Sequence, residues 1–397
     1  MDAEVVIVGA GVAGCATALH LAARGREVIL LDRSGFPREK VCGEGLMPHG
    51  VAELSQLGLL AAVKEAGVLP FRGISYHVAG ASALGEFPGI DEGAPTGLGV
   101  RRWRLDTVML DAARAHDKID VRLGSKVRAI GVSGSQVILE TNDGDVWGKI
   151  VVGADGLHST VRKELGLSRS VKGRHRYGVR AHFRFPPQRE DRLYVDVHIA
   201  PSAEFYVTPT APGEVNIALL LEEEAARRFN GNLDGAFYDL ISDYTPVREF
   251  LYGGQPLTKP KLVGPLRQAA KRLVSRRGLL VGDAGGFIDG ITGEGMSIAL
   301  VSARMAAITV DEALTRDRFE PRDLAIYERR QRQMSRDMIR FTEAILWGIR
   351  YPKLARRVVG TLGRHPDTFS RLLGINTGKG LYGSLRWKDL WRLIAGS

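Results

Sequence analysis

The fold is decided by VVIVGAGVAGCATALHLAAR at residues 5–24 and VILLD at residues 28–32. This pattern predicts a strand, a glycine turn, a helix and a second strand that ends on an acid. In such a turn Gly9 permits the tight bend, Gly11 lets the backbone approach a pyrophosphate, and Gly14 lets helix and strand pack closely. The N–H groups at the helix start then face the phosphates. Asp32 can accept hydrogen bonds from ribose hydroxyls, so the segment predicts a dinucleotide site.

The composition limits the class of protein. The chain has 397 residues, of which 44% are hydrophobic, enough to bury a large core in two lobes. Its two cysteines, Cys15 and Cys42, exclude a disulfide framework or a cysteine metal site and suit a reducing compartment. We see neither a run near the ~20 apolar residues of a membrane span nor a signal peptide. We therefore expect a cytoplasmic protein with no metal site.

The excess positive charge lies in the C-terminal region. Residues 316–397 carry 18 of the 55 Lys/Arg and 8 of the 45 Asp/Glu, which leaves 37 of each sign elsewhere. Apolar residues recur there at helical spacing, at Met334, Met338, Phe341 and Ile345 and again at Leu385, Trp387, Leu390, Trp391, Leu393 and Ile394. Such helices either pack one face on the core or lie on an anionic membrane surface, a possible peripheral contact. Without a recognisable nucleic-acid module, we expect no nucleic-acid partner.

The nucleotide-binding pattern is interrupted by insertions. Residues 175–266 alternate apolar and polar side chains, which is typical of an antiparallel sheet, and a sheet over a cleft is a usual place for a substrate. The nucleotide fold resumes near residue 278 with a strand that ends on Asp283 and a helix to about Leu314. We predict an α/β fold with a discontinuous Rossmann-like domain (1–70, 98–174 and 267–315), an inserted β-sheet substrate domain (71–97 and 175–266) and a basic helical C-terminal region (316–397).

Two further motifs make the pattern specific. They are GADGLHSTVR at residues 153–162 and GDAGG at residues 282–286, the latter followed by GEG at residues 293–295. With the first turn, they resemble the FAD-dependent superfamily of aromatic hydroxylases, flavin halogenases and geranylgeranyl-type reductases. The resemblance implies FAD in a fold of the GR2 type, with Asp283 on the ribityl chain and Gly293 and Gly295 beside the isoalloxazine ring. The following helix would aim its positive end at the flavin N1–C2=O edge.

Other cofactor residues follow from the same resemblance. Asp155 would cap a helix beside glycines that permit close approach. Arg102 matches the arginine of the family's RxxLD stretch, although Arg101 beside it is an alternative. Arg33, which follows Asp32, completes the candidate set. An NAD-dependent dehydrogenase would also use a single Rossmann unit, but it would leave the third motif unexplained.

The segment KVCGEGLMP, residues 40–48, is most similar to the CGxGLxP segment of geranylgeranyl and menaquinone side-chain reductases, whose cysteine lies near the flavin. FIDGITGEGM, residues 287–296, resembles the GFxxPxTGEG of the same reductases but has Gly290 in place of proline. Their YxWxFP substrate motif is only faintly echoed by Tyr206 and Pro209. The substrate is therefore expected to be lipophilic: an isoprenoid, a quinone or a polyketide.

Three functions remain open. In the first, hydride passes from reduced flavin to a C=C bond, and Cys42 or Glu44 assists proton delivery. In the second, the protein is a flavin monooxygenase that hydroxylates an aromatic or quinone substrate in a dry pocket. Both use an external reductant such as transiently bound NAD(P)H. In the third, the flavoprotein modifies or escorts a partner protein. Each candidate residue also has a structural alternative, since Cys42 and Tyr206 could be core residues and Glu44 could simply pair with Lys40.

Overall fold

The structure is a computed structural model that describes residues 1–376 except 90–92, 94, 95, 172, 174, 186–193, 202 and 230. The helices are α1 (Val12–Ala22), α2 (Pro48–Gln56), α3 (Leu60–Glu65), α4 (Arg102–Arg114), α5 (Thr160–Glu164), α6 (Glu223–Ala226), α7 (Leu233–Asp243), α8 (Thr245–Phe250), α9 (Gly295–Arg316), α10 (Pro321–Gly348), α11 (Pro352–Arg364) and α12 (Pro366–Asn376).

The strands of the first half are β1 (Val5–Val8), β2 (Val28–Asp32), β3 (Gly45–Leu46), β4 (Leu69–Phe71), β5 (Gly73–Val78), β6 (Ala81–Glu86), β7 (Gly97–Gly99), β8 (Ile119–Leu123), β9 (Val127–Ser133), β10 (Gln136–Thr141), β11 (Gly144–Gly148) and β12 (Ile150–Gly153). Those of the second half are β13 (Ser168–Arg169), β14 (Arg176–Arg184), β15 (Tyr194–Ile199), β16 (Ala203–Ala211), β17 (Glu214–Glu222), β18 (Gln255–Pro256), β19 (Lys261–Val263), β20 (Gln268–Ala270), β21 (Val274–Ser275), β22 (Gly278–Leu280) and β23 (Gly286–Phe287).

The first sheet has the strand order β21-β22-β12-β1-β2-β8 and is parallel from β22 to β8. Its central strands are continuous apolar runs, and β1, β2 and β12 are buried at every residue. Such runs suit parallel strands that are covered on both faces. Helices α1, α4 and α9 contribute to the core on one face, while β9–β11 contribute to a second core. The predicted Rossmann-like α/β fold is confirmed.

The second sheet has the order β18-β14-β17-β16-β15-β5-β6, with β19 paired to β14. Most pairs are antiparallel as predicted, but β15 and β5 run parallel. This corrects the expectation of a purely antiparallel sheet. The two strands come from segments that are far apart in sequence, and a long connection permits parallel pairing. All nine residues of β16 are buried, because one face packs on α7 and the other faces the cavity described below.

Two helical segments are interrupted. Gly58, between α2 and α3, adopts a left-handed φ of 72°, which ends the first helix before the second begins. Residues 223–243 form α6, a 3-10 turn and α7. The apolar repeat from Met334 to Ile345 lies on α10, but the repeat from Leu385 to Ile394 lies outside the described residues. Among the residues that the structure describes, no helix combines the length and the apolar character needed to cross a bilayer.

Candidate flavin site

The glycine turn joins β1 to α1. Gly9 has a φ of 105°, and a Cβ there would overlap the carbonyl oxygen of Ala154 on the neighbouring strand. A Cβ at Gly14 would overlap the carbonyl oxygen of Gly9 itself. At Gly11 the space is open, since the nearest atoms to a Cβ are guanidinium nitrogens of Arg38 at 3.6 Å and Arg102 at 4.0 Å. The turn thus leaves an unfilled space above Gly11 that two cations border.

These two cations fit a pyrophosphate. The N-terminus of α1 supplies unpaired N–H groups and the positive end of its dipole, and guanidinium groups bind phosphate oxygens strongly. Arg38 also lies 3.4 Å from a carboxylate oxygen of Asp32 and over the ring of Phe36. Arg33, which the sequence analysis placed in the cofactor set, is exposed, whereas Arg38, five residues later, borders the turn. Nothing in the local sequence distinguished Arg38 from the other charged residues of its loop.

The carboxylate of Asp32 is held at the end of β2. One oxygen accepts a hydrogen bond from the backbone N–H of Ala10 at 2.8 Å, and the other accepts from Ser34 at 2.8 Å. The side chain is buried. Asp32 therefore lies directly beside the glycine turn, in the position expected of an acid that contacts a ribose.

The structure distinguishes Arg102 from Arg101 by their surroundings. Arg102 lines the cavity and forms a bidentate ion pair with Asp106, at 2.9 and 3.0 Å. Burial opposes the charge of Arg102, but Asp106 and the nearby thiol of Cys42 raise its pKa above the ordinary value. Arg101 instead bonds to Glu39 at 2.6 Å. Of the two neighbours, Arg102 is placed to meet a cofactor.

The second motif is tied to the third. Asp155 accepts hydrogen bonds from the Ser159 hydroxyl and, at 3.1 Å, from the backbone N–H of Val161, so it supports the start of α5, whose cap residue is Ser159. Arg162 on that helix donates to the carbonyl of Ala284 at 2.9 Å. Arg162 therefore braces the two glycine-rich loops against each other.

The third motif surrounds the start of α9. Asp283 follows β22, and one of its carboxylate oxygens lies 3.5 Å from Nζ of Lys40. Gly293 has a φ of 68°, and a Cβ there would lie 3.0 Å from Cε of Met47. Gly295 is the first residue of α9. A Cβ at Gly295 would lie 3.5 Å from the Phe287 ring and 4.0 Å from the Asp283 carboxylate, and the residue lines the cavity described below.

One cavity unites these motifs. Its empty volume is about 1470 Å³, including the part open to solvent. Gly11, Arg102, Asp283, Gly293 and Gly295 all contribute to its lining. At the other end its walls are apolar and are formed by Met47, Ile74, Val195, Val197, Leu220 and Ile291. A long space thus leads from the dinucleotide turn to an apolar chamber under the second sheet.

Cys42 lines the cavity on a loop thinned by Gly43 and Gly45. Its carbonyl accepts a hydrogen bond from Asn216 at 2.9 Å, and its sulfur accepts from the backbone N–H of Glu44 at 3.4 Å. These contacts fix a half-buried thiol at the cavity wall, near the cation of Arg102. Cys15, in contrast, is completely buried in the core of α1.

The partners of the Glu44 carboxylate differ from the one suggested by the sequence. Its side chain is completely buried, with one oxygen 2.6 Å from Nε2 of His182 and the other accepting from the backbone N–H of Arg102 at 2.9 Å. Lys40, its expected partner, lies at Asp283 instead. Glu44 also adopts a left-handed φ of 62°. Its carboxylate therefore joins β14 to the loop of Cys42, and a part in proton delivery stays a prediction.

The two predicted substrate residues lie in different surroundings. Tyr206 lines the cavity, and Thr208 lies beside it on the same strand. Pro209 is buried, and its carbonyl packs against Gly99 of β7, so it lies outside the lining formed by the described residues. The alternation of side chains along β16 puts Tyr206 and Pro209 on opposite faces, which explains the difference.

A family profile described as an FAD binding domain matches residues 2–342. The chain belongs to this FAD-binding family. It is 31% identical over 319 residues to a menaquinone reductase of Mycolicibacterium smegmatis, covering 77% of this chain and 75% of the relative. It is 26% identical to a digeranylgeranylglycerophospholipid reductase 2 of Methanopyrus kandleri, over 80% and 79% of the two chains. The crystal structure of a flavoprotein/dehydrogenase from Cytophaga hutchinsonii shares the fold, with a TM-score of 0.82 at 19% identity over 94% and 92% of the chains.

The prediction of FAD, rather than NAD, as the bound cofactor is confirmed by this membership. The residues fit the group, because the open space at Gly11 lies between two guanidinium groups and continues past Asp283 to the start of α9. A second glycine-lined part of the cavity, at Gly293 and Gly295, suits the flat ring system of a flavin.

A buried ionic cluster adjoins the chamber. No sequence motif predicted it. Arg176 bonds to Glu204 at 2.5 Å and to Asp289 at 2.9 Å, and the hydroxyl of Tyr206 donates to Glu204 at 2.7 Å. Burial raises the pKa of both acids, while Arg176 opposes that shift. Two acids therefore share one guanidinium in this cluster. Tyr206 connects this cluster to the flavin cavity.

Glu294 is a second residue that the motifs did not single out. Its side chain is almost completely buried, it lines the cavity, and one oxygen lies 3.2 Å from Nε2 of His49. Burial raises its pKa well above the usual range. Because Gly293 and Gly295 flank it, this carboxyl group stands next to the expected position of the isoalloxazine ring.

Proposed function

We propose that this chain is an FAD-dependent reductase that transfers hydride from reduced flavin to a C=C bond of a lipophilic substrate. The observation that carries the proposal is the cavity, which runs from the dinucleotide turn past Cys42 to a chamber walled by Ile74, Val195 and Leu220. An isoprenoid, a quinone or a polyketide would bury its apolar surface there, and burial of such surface drives association. NAD(P)H is the proposed external electron donor.

The relatives support this choice of substrate class. Two of them are named for the reduction of menaquinone and of digeranylgeranylglycerophospholipid, and both names describe large lipophilic molecules. The similarity extends over more than three quarters of this chain, so it includes the second sheet that walls the chamber. We therefore propose an isoprenoid or isoprenoid quinone before a polyketide.

The chain's own residues have distinct proposed tasks. FAD, when bound, supplies the hydride. Arg38, Arg102 and the start of α1 bind its phosphates and fix the register of the ring. The hydride goes to one alkene carbon, and a proton must reach the other. Cys42 is the better placed of the two proposed proton sources, because its thiol is at the cavity wall while both oxygens of Glu44 are engaged.

The ionic cluster would orient the substrate. Tyr206 lies at the chamber wall with its hydroxyl committed as a donor to Glu204, so its oxygen remains able to accept a hydrogen bond from a substrate hydroxyl. A mainly apolar chamber that offers this polar position favours a substrate with a polar head group on a hydrocarbon body. This arrangement would set which carbon faces the flavin.

Anaerobic reoxidation tests the proposal. The flavin is reduced with dithionite in the absence of oxygen, menaquinone or geranylgeranyl lipids are added, and reoxidation is followed by absorbance. Turnover without oxygen, with a product heavier by two hydrogen atoms, is expected. Turnover that requires oxygen and adds an oxygen atom would instead identify a monooxygenase. If no lipid changes the rate of reoxidation, either with or without oxygen, the role on a partner protein is favoured.

A cysteine pair refines the test. Cys42→Ser should slow the anaerobic step at least ~100-fold, the range expected for loss of a proton donor, with little effect on FAD binding. Cys15→Ser is the matched control, since that thiol is buried in α1 away from the chamber, and it should react as the unaltered protein does. Equal rates for both variants would remove Cys42 from the mechanism.

A further inference from the structure

Two large aromatic side chains stand exposed where α10 ends. Trp347 is 55% exposed and Tyr351 is 52% exposed, and their ring centroids are 5.2 Å apart. Exposed Trp and Tyr side by side form an uncommon surface, because aromatic rings of this size are usually buried. We refer to Trp347, Arg350, Tyr351, Lys353 and Arg356, which are all exposed, as the aromatic–basic ridge.

The ridge lies in a segment of one charge sign. Between Glu343 and Asp367 the sequence has five Lys/Arg and no Asp/Glu. This run covers the end of α10 and all of α11, so its cations are displayed together rather than spread over the molecule. A cationic surface of this kind attracts an anionic one, with an attraction that salt weakens.

Helix α11 shows how the bases are displayed. Ala355, Val359 and Leu362 are buried and follow one another at spacings of four and three residues. Lys353 and Arg356 lie on the exposed side. An amphipathic helix of this type lies flat on the protein with its bases outward. Lysine and arginine on such a face suit contact with phosphate groups in a membrane surface.

The inner side of these helices packs on residues that line the substrate chamber. Ala355, Val359 and Leu362 belong to the same hydrophobic cluster as Ile74 and Leu220, which line the cavity. On α12, the ring centroid of Phe369 lies 5.8 Å from that of Tyr76, another lining residue. The ridge therefore belongs to helices whose buried side packs against the chamber wall.

We propose that the aromatic–basic ridge docks this protein on an anionic lipid surface. Trp347 and Tyr351 would enter the headgroup region, where aromatic side chains concentrate in membrane proteins, and the bases would meet lipid phosphates. A membrane occupant explains the pairing of aromatic and cationic residues, and it places a lipid source against the helices that pack on the chamber wall. This docking proposal does not depend on which reaction the flavin performs.

The chain's own tail is a poorer occupant. Residues 377–397 carry four Lys/Arg and one Asp, so they share the sign of the ridge and would be repelled by it. A nucleic acid would match the charge but would leave the position of the ridge beside the apolar chamber unexplained. Both are outcomes that the experiment distinguishes.

The test is co-sedimentation of the full chain with vesicles. Phosphatidylcholine vesicles that contain phosphatidylglycerol should pellet the flavoprotein, and vesicles of phosphatidylcholine alone should pellet far less. The double variant Arg350→Glu/Lys353→Glu should lower the partition coefficient about tenfold or more at low salt. The double variant Trp347→Ser/Tyr351→Ser should also lower the partition coefficient. Added salt should not restore vesicle binding in either of the two double variants.

Matched controls use exposed residues elsewhere. Tyr252→Ser removes an aromatic side chain that is 85% exposed, and Lys163→Glu/Arg228→Glu reverses two exposed charges. Both controls should bind as the unaltered chain does, and retained flavin absorbance shows that each variant is folded. Binding that survives the ridge variants but disappears on deletion of residues 377–397 overturns the proposal in favour of the tail. If the unaltered chain binds duplex DNA but does not bind the vesicles, the proposal is overturned in favour of nucleic acid.

Discussion

The carboxylate of Glu44 lies 2.6 Å from the imidazole of His182, and both side chains are completely buried. The pair joins the loop of Cys42 to β14 of the second sheet. The other oxygen of Glu44 accepts from the first residue of α4, so one carboxylate connects three segments that meet at the flavin cavity. This relationship indicates that Glu44 sets the geometry of its loop.

Glu44→Ala should therefore act on stability before it acts on chemistry. The change leaves His182 and a backbone N–H without their partner, and removal of one member of a buried pair costs about 3–5 kcal/mol. Glu44→Gln keeps an acceptor for Arg102 and should cost less. Urea unfolding of the two variants measures the difference. If Glu44→Gln keeps its stability and its flavin but loses anaerobic turnover, Glu44 is a proton donor after all.

The glycine turn offers two variants with opposite expectations. Gly14→Ala should destabilise the protein, because the new methyl group would overlap the carbonyl oxygen of Gly9. Gly11→Ala should fold normally, since its Cβ would find ordinary contact distances, but it would occupy the approach of the pyrophosphate. FAD affinity should then fall roughly tenfold or more, for loss of about 1.5 kcal/mol or more of charged hydrogen bonding. Thermal unfolding without FAD and a flavin titration separate the two effects. Equal loss of folding in both variants would contradict the assigned roles.

Much of the fold could be predicted from the sequence, because the signals that specify it lie within short segments. The turn at Gly9, the motif around Asp155 and the loop at Gly293 each need backbone that only certain residues supply, so sequence alone identifies them. The continuous apolar strands of the first sheet are equally local signals. The second sheet was harder, because its parallel pair joins strands from two separate insertions and nothing in either strand specifies the other.

Several site residues could not be predicted from the sequence for a related reason. His182 meets Glu44 across 138 residues of sequence, and Arg176 meets Asp289 across 113. Such pairs form only when segments far apart in sequence come together in the fold, and their residue types are common on surfaces as well. Arg38 shows the same limit at short range, since only the folded loop brings it, rather than Arg33, to the glycine turn.

Arg38 and Arg33 provide a direct test of that placement. Arg38→Ala should weaken FAD binding by roughly 10- to 100-fold, the range expected for one charged hydrogen bond of about 1.5–3 kcal/mol. Arg33→Ala should leave the affinity unchanged, because its side chain is exposed. Isothermal titration of the apoprotein with FAD compares the two under the same conditions. A larger loss for Arg33→Ala would place the phosphates on the other side of Asp32.

Glu294 predicts a specific dependence of stability on pH. Burial raises its pKa in the folded protein well above the value of an unfolded chain. Between those two pKa values the folded state binds more protons than the unfolded state, so the free energy of unfolding falls as the pH rises. Below the unfolded pKa the carboxyl is protonated in both states and costs nothing. Once the pH passes the folded pKa, the full cost of the buried charge remains.

Glu294→Gln removes this titration while keeping the shape of the side chain. The variant should match the unaltered protein at low pH and become the more stable of the two as the pH rises above the usual range of a glutamate. Urea unfolding across that range, with His49→Gln included because its ring faces the same carboxylate, measures the slope. A difference that stays constant from low to high pH would show that the pKa of Glu294 is the same in the folded and the unfolded protein, which contradicts the expected shift.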